Sequence, residues 1–273
     1  MTQSAETFRA LHRPSDPLLM VNVWDRGTAR MMANLGAMAL ATSSAAHAFT
    51  LGEPDGVAID RDAALGHAQD ILGATRLPVQ GDFENGFGDD PDTCAETVRL
   101  SAEVGLAGIC IEDTVLPGDG FYDFDLAVDR IRAAAAAARA LPHDFVLTAG
   151  ADGMLTGRYD TDEAIRRLQA FEQAGADCLY APLPPDMAAL QRIVGSVNTP
   201  VNVLIAGDFT GVAYADFARI GVARLSQGSS LARVYHGAVL NAARAMFQGD
   251  YRALAQGAGS ATVDPLLAEP IAP

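Results

Sequence analysis

The chain has 273 residues, 49% of them hydrophobic, enough for one large domain or two small ones with a full core. Its formal net charge of -15 and pI near 4.5 argue against non-specific binding to nucleic acid. No apolar run approaches the ~20 residues needed to span a membrane.

The first segment, "MTQSAETFRALHRPSDP", lacks the basic start and apolar centre of a signal peptide, so a cytoplasmic protein is expected. Then a beat repeats. Short apolar runs read as buried strands at 18–24, 37–43, 77–83 and 107–113, and again at 145–151, 177–182, 200–206 and 222–228. Helical patterns lie between them, such as "CAETVRLSAEVG", "LAVDRIRAAAAAARAL", "TDEAIRRLQAFEQAG" and "DMAALQRIVGSV". Several end in a glycine suited to a C-cap. Eight such units predict an α/β fold, a (β/α)8 barrel, with the open doubly wound sheet as the alternative. No G-x-G-x-x-G follows the first strand, which weakens that alternative. Residues 1–257 are read as a single barrel domain and 258–273 as a C-terminal extension.

Two features of composition narrow the chemistry. All 19 basic residues are arginines, so Schiff-base, pyridoxal-lysine and P-loop chemistry are excluded. The three cysteines, Cys94, Cys110 and Cys178, have no zinc or C-x-x-C spacing and read as reduced core residues.

A barrel carries its active site at the C-terminal ends of its strands. There the chain places acids: Asp55 past strand two, Asp82 and Glu84 at strand three, Glu112 and Asp113 at strand four, and Asp152 after strand five. Alternation puts Gln80, Asp82 and Glu84 on one face, and Cys110 with Glu112 on the next strand. Crowded carboxylates repel, and a hard divalent cation removes the conflict. A Mg2+ site is therefore expected, with Mn2+ as the other candidate. "DDPD" at Asp89–Asp92 reads instead as helix capping.

"NVWDRGTARMMANLGAMALATSSAAHAFTLGEPDG", "GDFENGFG", "AGICIED" and "GVARLSQGSSLAR" occur in that order. Together they resemble the isocitrate lyase / phosphoenolpyruvate mutase superfamily over about 22–236. The resemblance implies a barrel with a helix swapped between subunits, a homo-oligomer (dimer or tetramer), and a metal-held enolate of a small 2-oxo or 2-hydroxy acid. Position by position it implies Asp82 as direct metal ligand, with Glu84, Glu112 and Asp55 in the metal's shell. Ser43, Ser44 and Ala45 match the segment that holds the substrate carboxylate and oxo group.

Three departures stand out. The family's K-K/R-C-G-H loop is replaced by "TVLPGDGFYDFDLAVDRI", without Cys, Lys or His. The family's "ARTD" is here "AGAD", so Gly150 stands where an anion-binding arginine is usual. His47 stands where small or aliphatic residues are usual, and is expected either to enter the space left at Gly150 or to be a packed loop histidine. Trp24 and Asp25 after strand one, Asn202 and His236 are further candidate substrate contacts, and a water, His47 or Tyr122 is the candidate proton donor. The expected function is a Mg2+-dependent lyase or decarboxylase cleaving a C–C bond in a small anionic carboxylic acid. A P–C hydrolase or mutase, and a degenerate barrel with a binding role, are the alternatives.

Overall fold

The computed structural model describes residues 2–57, 59–118 and 120–268, with the backbone alone at 2–5. Nine strands form one parallel sheet: β1 (Leu18–Leu19), β2 (Val21–Asn22), β3 (Leu40–Ala41), β4 (Val79–Asp82), β5 (Gly108–Glu112), β6 (Val146–Gly150), β7 (Cys178–Tyr180), β8 (Val201–Leu204) and β9 (Arg224–Ser226). Their order is β1-β9-β8-β7-β6-β5-β4-β3-β2. The two ends of that order are adjacent in the chain, separated only by Met20. β1 pairs with β9 and β2 with β3, so one interrupted first strand closes an eight-membered barrel.

All eight expected strands are present, each within its expected range but shorter. The apolar run continues beyond the hydrogen-bonded ladder because the strand ends still pack under the helices. The helices are α1 (Thr2–Ala10), α2 (Arg26–Asn34), α3 (Ser44–Thr50), α4 (Arg61–Leu72), α5 (Pro91–Val104), α6 (Phe124–Ala140), α7 (Thr161–Ala174), α8 (Met187–Gly195), α9 (Tyr214–Arg219), α10 (Ser230–Met246) and α11 (Ser260–Leu267). Gly105 and Gly175 end α5 and α7 at φ 101° and 102°, a conformation that costs a residue with a Cβ. Asp90 caps α5 by accepting from Asp92 N, as the "DDPD" reading expects.

The main core lies between sheet and helices, where Val79, Ile109, Leu147 and Leu179 pack on Val98, Ile131, Leu168 and Phe171. The bottom of the barrel is plugged by α1 and the turn after it. Phe8 packs on Leu18, Met20 and Val146, and Arg9 bridges Asp144 and Asp177. Residues after Gly257 do not trail free: α11 docks on α2, with Arg30 and Asn34 donating to the carbonyls of Leu267 and Leu266. Residues 269–273 of the expected extension lie outside the described residues.

One buried ion pair fastens the upper rim. Arg167 of α7 donates to Asp113 Oδ2 at 2.9 Å and to the Tyr122 carbonyl at 3.0 Å, both arms fully enclosed. Removing one partner strands the other charge. Arg167→Ala is expected to lower stability by about 3–5 kcal/mol in urea unfolding, far more than a surface arginine would.

Candidate active site

A cavity of about 580 Å3 opens at the C-terminal ends of the strands. Its floor is Arg224, 1% exposed, which donates to Asn202 Oδ1 (2.8 Å), Gln80 Oε1 (2.7 Å) and Thr148 Oγ1 (3.2 Å), and contacts His12 Nε2 (3.0 Å). Burial, with Arg224 next, pushes His12 down to about 3, so it is neutral and accepts through Nε2. The floor is thus a cation held by neutral partners, and acids stand around the mouth above it.

Asp82 ends β4. Its Oδ2 accepts from both Ser44 N (2.8 Å) and Ser44 Oγ (2.9 Å), and its own N–H donates to Thr42 Oγ1 (2.8 Å). Burial raises the Asp82 carboxyl above the usual range; the Ser44 donors oppose this and Asp55 adds to it. Glu84 follows in a left-handed turn at φ 48°, closed by Gly86 N donating to Phe83 O (2.7 Å). Strand alternation therefore stops at Asp82, but the turn still brings Glu84 to the cavity. Burial, then Asp82 and Asp55, push Glu84 up to about 7.

Glu112 ends β5 beside them, with Oε2 accepting from Thr114 Oγ1 at 3.1 Å. Burial, then Asp152 and Asp82, hold Glu112 well above the usual carboxylate range. Asp55 sits on an open loop at the rim, with Arg233 at 3.6 Å. Asp82, Glu84, Glu112 and Asp55 all line the one cavity.

The donor set fits a hard cation. It is all oxygen, and its members repel one another, a conflict that a divalent ion relieves. Among the described residues no three His, Cys, Asp or Glu side chains already form a metal-holding group. An ion such as Mg2+ needs only one or two direct carboxylates, because it keeps several waters.

The remaining candidates divide. Ser43, Ser44, Ala45 and Asn202 line the cavity. Ser44, however, spends both its donors on Asp82, and Asn202 spends its amide on Arg224 and Ser226. Ser43 caps α3, accepting from Ala46 N at 3.3 Å. Trp24, Asp25 and His236 face a separate groove of about 640 Å3 between α2, α3 and α10. Strand pairing stops at Asn22, so the chain has left the barrel wall before Trp24. Asp25 caps α2 by accepting from Thr28 N at 2.6 Å. Tyr122 is outside the cavity too, donating to Asp89 Oδ1 at 2.6 Å.

His47 does not enter the space at Gly150. It lies on the β3–β4 side, stacked on His67 of α4 with ring centroids 3.9 Å apart and planes within 3°. Gly150 is on β6, and the space a side chain would take there holds the Asp152 carboxylate. A Cβ on Gly150 would lie 2.5 Å from Asp152 Oδ1. Asp113 is structural: beside its Arg167 pair it accepts from Tyr159 Oη and Asp152 N, each at 2.8 Å. Sequence reasoning placed Asp152 at the active-site end without a role and did not single out Arg224 or Tyr180, yet all three line the cavity. The register could have found Tyr180, since the inward-facing Gly150 pairs with it.

With this geometry in place, the comparisons decide the family. Residues 8–247 match the profile of the family described as phosphoenolpyruvate phosphomutase. The chain belongs to that family. It is 31% identical over 222 residues to the oxaloacetate decarboxylase of Ectopseudomonas mendocina, covering 79% of this chain and 74% of that one. It is 30% identical over 204 residues to the 2-methylisocitrate lyase of Escherichia coli K12, covering 72% and 68%. A crystal structure of a lyase/mutase candidate from Burkholderia cenocepacia J2315 shares 44% identity and 99% of each chain at a TM-score of 0.93. The family is one of lyases and mutases, and this chain is an enzyme of that kind.

Two measurements test the local account. Ser44→Ala removes one of the two donors that orient Asp82 and is expected to weaken Mn2+ affinity roughly tenfold, read by titration of the ion. The His pair gives a pH signature. Burial, then His67, push His47 down to about 4, and burial also lowers His67. Below the unfolded value of about 6.5 the unfolded chain takes up protons that the folded pair refuses. The pair's contribution is therefore lost as pH falls from about 6.5 to 4. His47→Phe, which keeps a stacked ring, should show a smaller fall in melting temperature over that window than wild type. An equal fall would contradict the assignment.

Proposed function

We propose that this chain is a divalent-metal-dependent lyase or decarboxylase that cleaves a C–C bond in a small 2-oxo or 2-hydroxy acid. The observation that carries the reading is the ring of acids around Asp82 in a cavity that no lysine serves. Asp82 would hold the ion, backed by Glu84, Glu112 and Asp55 through water. Mg2+ or Mn2+, when bound, supplies a Lewis acid toward the substrate's carboxylate and adjacent oxygen. Ser44 fixes the Asp82 carboxylate, and Ser43 and the backbone of Ala45 line the wall where the substrate's oxygens would rest. The enclosed floor excludes bulk water, and the buried Arg224 charge favours an anion above it.

Neither His47 nor Tyr122 lines the cavity, which leaves water and the cavity-lining Tyr180, and the proposal takes Tyr180 as the proton donor. Burial keeps its hydroxyl protonated far above neutral pH, and it lies in the field of Asp152, Glu112 and Asp82. Tyr180→Phe is expected to lower kcat by about 10²–10⁴ while leaving oxalate affinity within a few fold.

The phosphomutase profile also supports a second reading, cleavage or rearrangement of a P–C bond. The acid-rich mouth opposes it, since a doubly charged phosphonate would meet carboxylates. A homo-oligomer is part of the proposal. The exposed face of α10 carries Val234, Tyr235, Val239 and Leu240, followed by Phe247 at 91% exposure, an apolar strip suited to crossing onto a second copy. We also place the protein in the cytoplasm, a reading supported by three unpaired, buried cysteines. Among the described residues no helix is long and apolar enough to cross a membrane.

The test is turnover of a panel of 2-oxo and 2-hydroxy acids with Mg2+, with EDTA, and with Asp82→Asn. Metal-dependent release of a 2-oxo acid product, lowered at least about 100-fold by Asp82→Asn, is the expected result. Turnover unaffected by EDTA contradicts the reading. Release of inorganic phosphate from phosphonopyruvate favours the P–C alternative.

A further inference from the structure

We infer that Arg233 sets the specificity of the site by pairing with a second carboxylate at the far end of the substrate. The substrate class is then a short 2-oxo or 2-hydroxy dicarboxylic acid. This rests on the proposed function for the metal-binding head of the same substrate.

Among the described residues the guanidinium groups that line the cavity are those of Arg224 and Arg233, and the chain has no lysine. Arg224 is enclosed at the floor and bonded to Asn202, Gln80, Thr148 and His12. Arg233 is placed differently. It stands one turn into α10, and its side chain is 59% exposed, so a ligand entering the mouth can reach it. Its Nε donates to Ser229 Oγ at 3.1 Å, and the Phe49 ring centroid lies 5.1 Å from its guanidinium carbon. These contacts hold the planar group at the rim from its own helix and from α3. The carboxylate it faces is that of Asp55, with Nη2 3.6 Å from Oδ2, too long for a hydrogen bond. Among the described residues neither Nη group donates a hydrogen bond. Those groups are the ones through which an arginine grips a carboxylate with two parallel bonds.

Asp55 has a second claim on it. It lines the same cavity, and its charge acts on Asp82 and Glu84. When it backs the ion through water, as the proposed function has it, the loose contact with Arg233 is the one to give way. The cation then lacks an anion, and the substrate's tail can supply it. Position agrees. Helix α3 carries Ala45, at the wall assigned to the head, and Phe49, beside Arg233. These two residues lie one turn apart, about 6 Å along the helix, the scale of a four-carbon acid. Charge agrees as well. One carboxylate matches one guanidinium, whereas a doubly charged phosphonate would keep a surplus charge beside Asp55.

The test uses two ligands with one head and different tails. Malate ends in a carboxylate, and 2-hydroxybutanoate has the same carbon chain but ends in a methyl group. Oxalate, which has no tail, is the reference. Affinities are measured by calorimetry with Mg2+ on wild type, Arg233→Gln and Arg233→Met, two variants that keep a straight stem and remove the charge. Wild type is expected to bind malate roughly tenfold or more tightly than 2-hydroxybutanoate. In both variants that ratio should fall to near one, while oxalate affinity stays within a few fold of wild type. The paired variants guard against one failing to fold, and ratios within each protein cancel general loss of affinity. A preference for malate that survives in the variants overturns this inference alone, as does oxalate binding by wild type without that preference. A loss of oxalate affinity equal to the loss for malate makes Arg233 a support of the whole site and also overturns it. Failure of wild type to bind oxalate overturns the proposed function, and this inference with it.

Discussion

Mutual repulsion among carboxylates at the mouth of one barrel is the constraint on which the site depends. Asp82, Glu84, Glu112 and Asp152 stand at the ends of three adjacent strands, β4, β5 and β6, and burial weakens the hydration that would let each ionise. A chain that kept such a cluster for stability alone would gain by losing it. The backbone even accepts a left-handed residue at Glu84 to bring one acid in, a conformation that costs of order 1 kcal/mol. The chain has no lysine, and Arg224 is held at the floor by Asn202, Gln80 and Thr148, so the proposed function assigns the compensation of this charge to a cation from solution.

The rest of the fold aims these groups. Thr42 and Ser44 at the end of β3 grip Asp82 from its backbone and from one carboxylate oxygen, leaving the other free for a ligand. The Arg167–Asp113 pair does the same for the β6 side by fixing the Asp152 backbone. Arg130 reaches the carbonyls of Asn85, Gly88 and Glu112, tying the turn after β4 to the end of β5. Arg224 fills the barrel axis with a fixed positive charge below the acids. Rigid support of this kind makes a site electrostatically prepared before substrate arrives.

The sequence made the scaffold legible and the connections between side chains less so. Strands announced themselves because both faces of a parallel sheet are buried, and helices through their caps. Asp82 and Glu112 could be placed because each ends an apolar run. Three roles were not readable. The two Ser44 donors turn toward Asp82, a choice made by the approach of β3 to β4. Trp24 and Asp25 fell into a neighbouring groove because the first strand ends two residues early, and His236 reaches the same groove from α10. The space at Gly150 is filled from its own strand end by Asp152, and His47, three strands away, pairs with His67 on α4. Each depends on which groups meet across the barrel, and one-dimensional spacing does not carry that.

The central claim is that the barrel mouth binds a metal-chelated enolate-like anion through Asp82. Calorimetric titration of oxalate, with and without Mg2+, on wild type and Asp82→Ala tests it most directly. Binding by wild type only when Mg2+ is present, and by Asp82→Ala in neither condition, is the predicted result. Oxalate binding that ignores both the ion and Asp82, or no binding by wild type with Mg2+, would contradict the account.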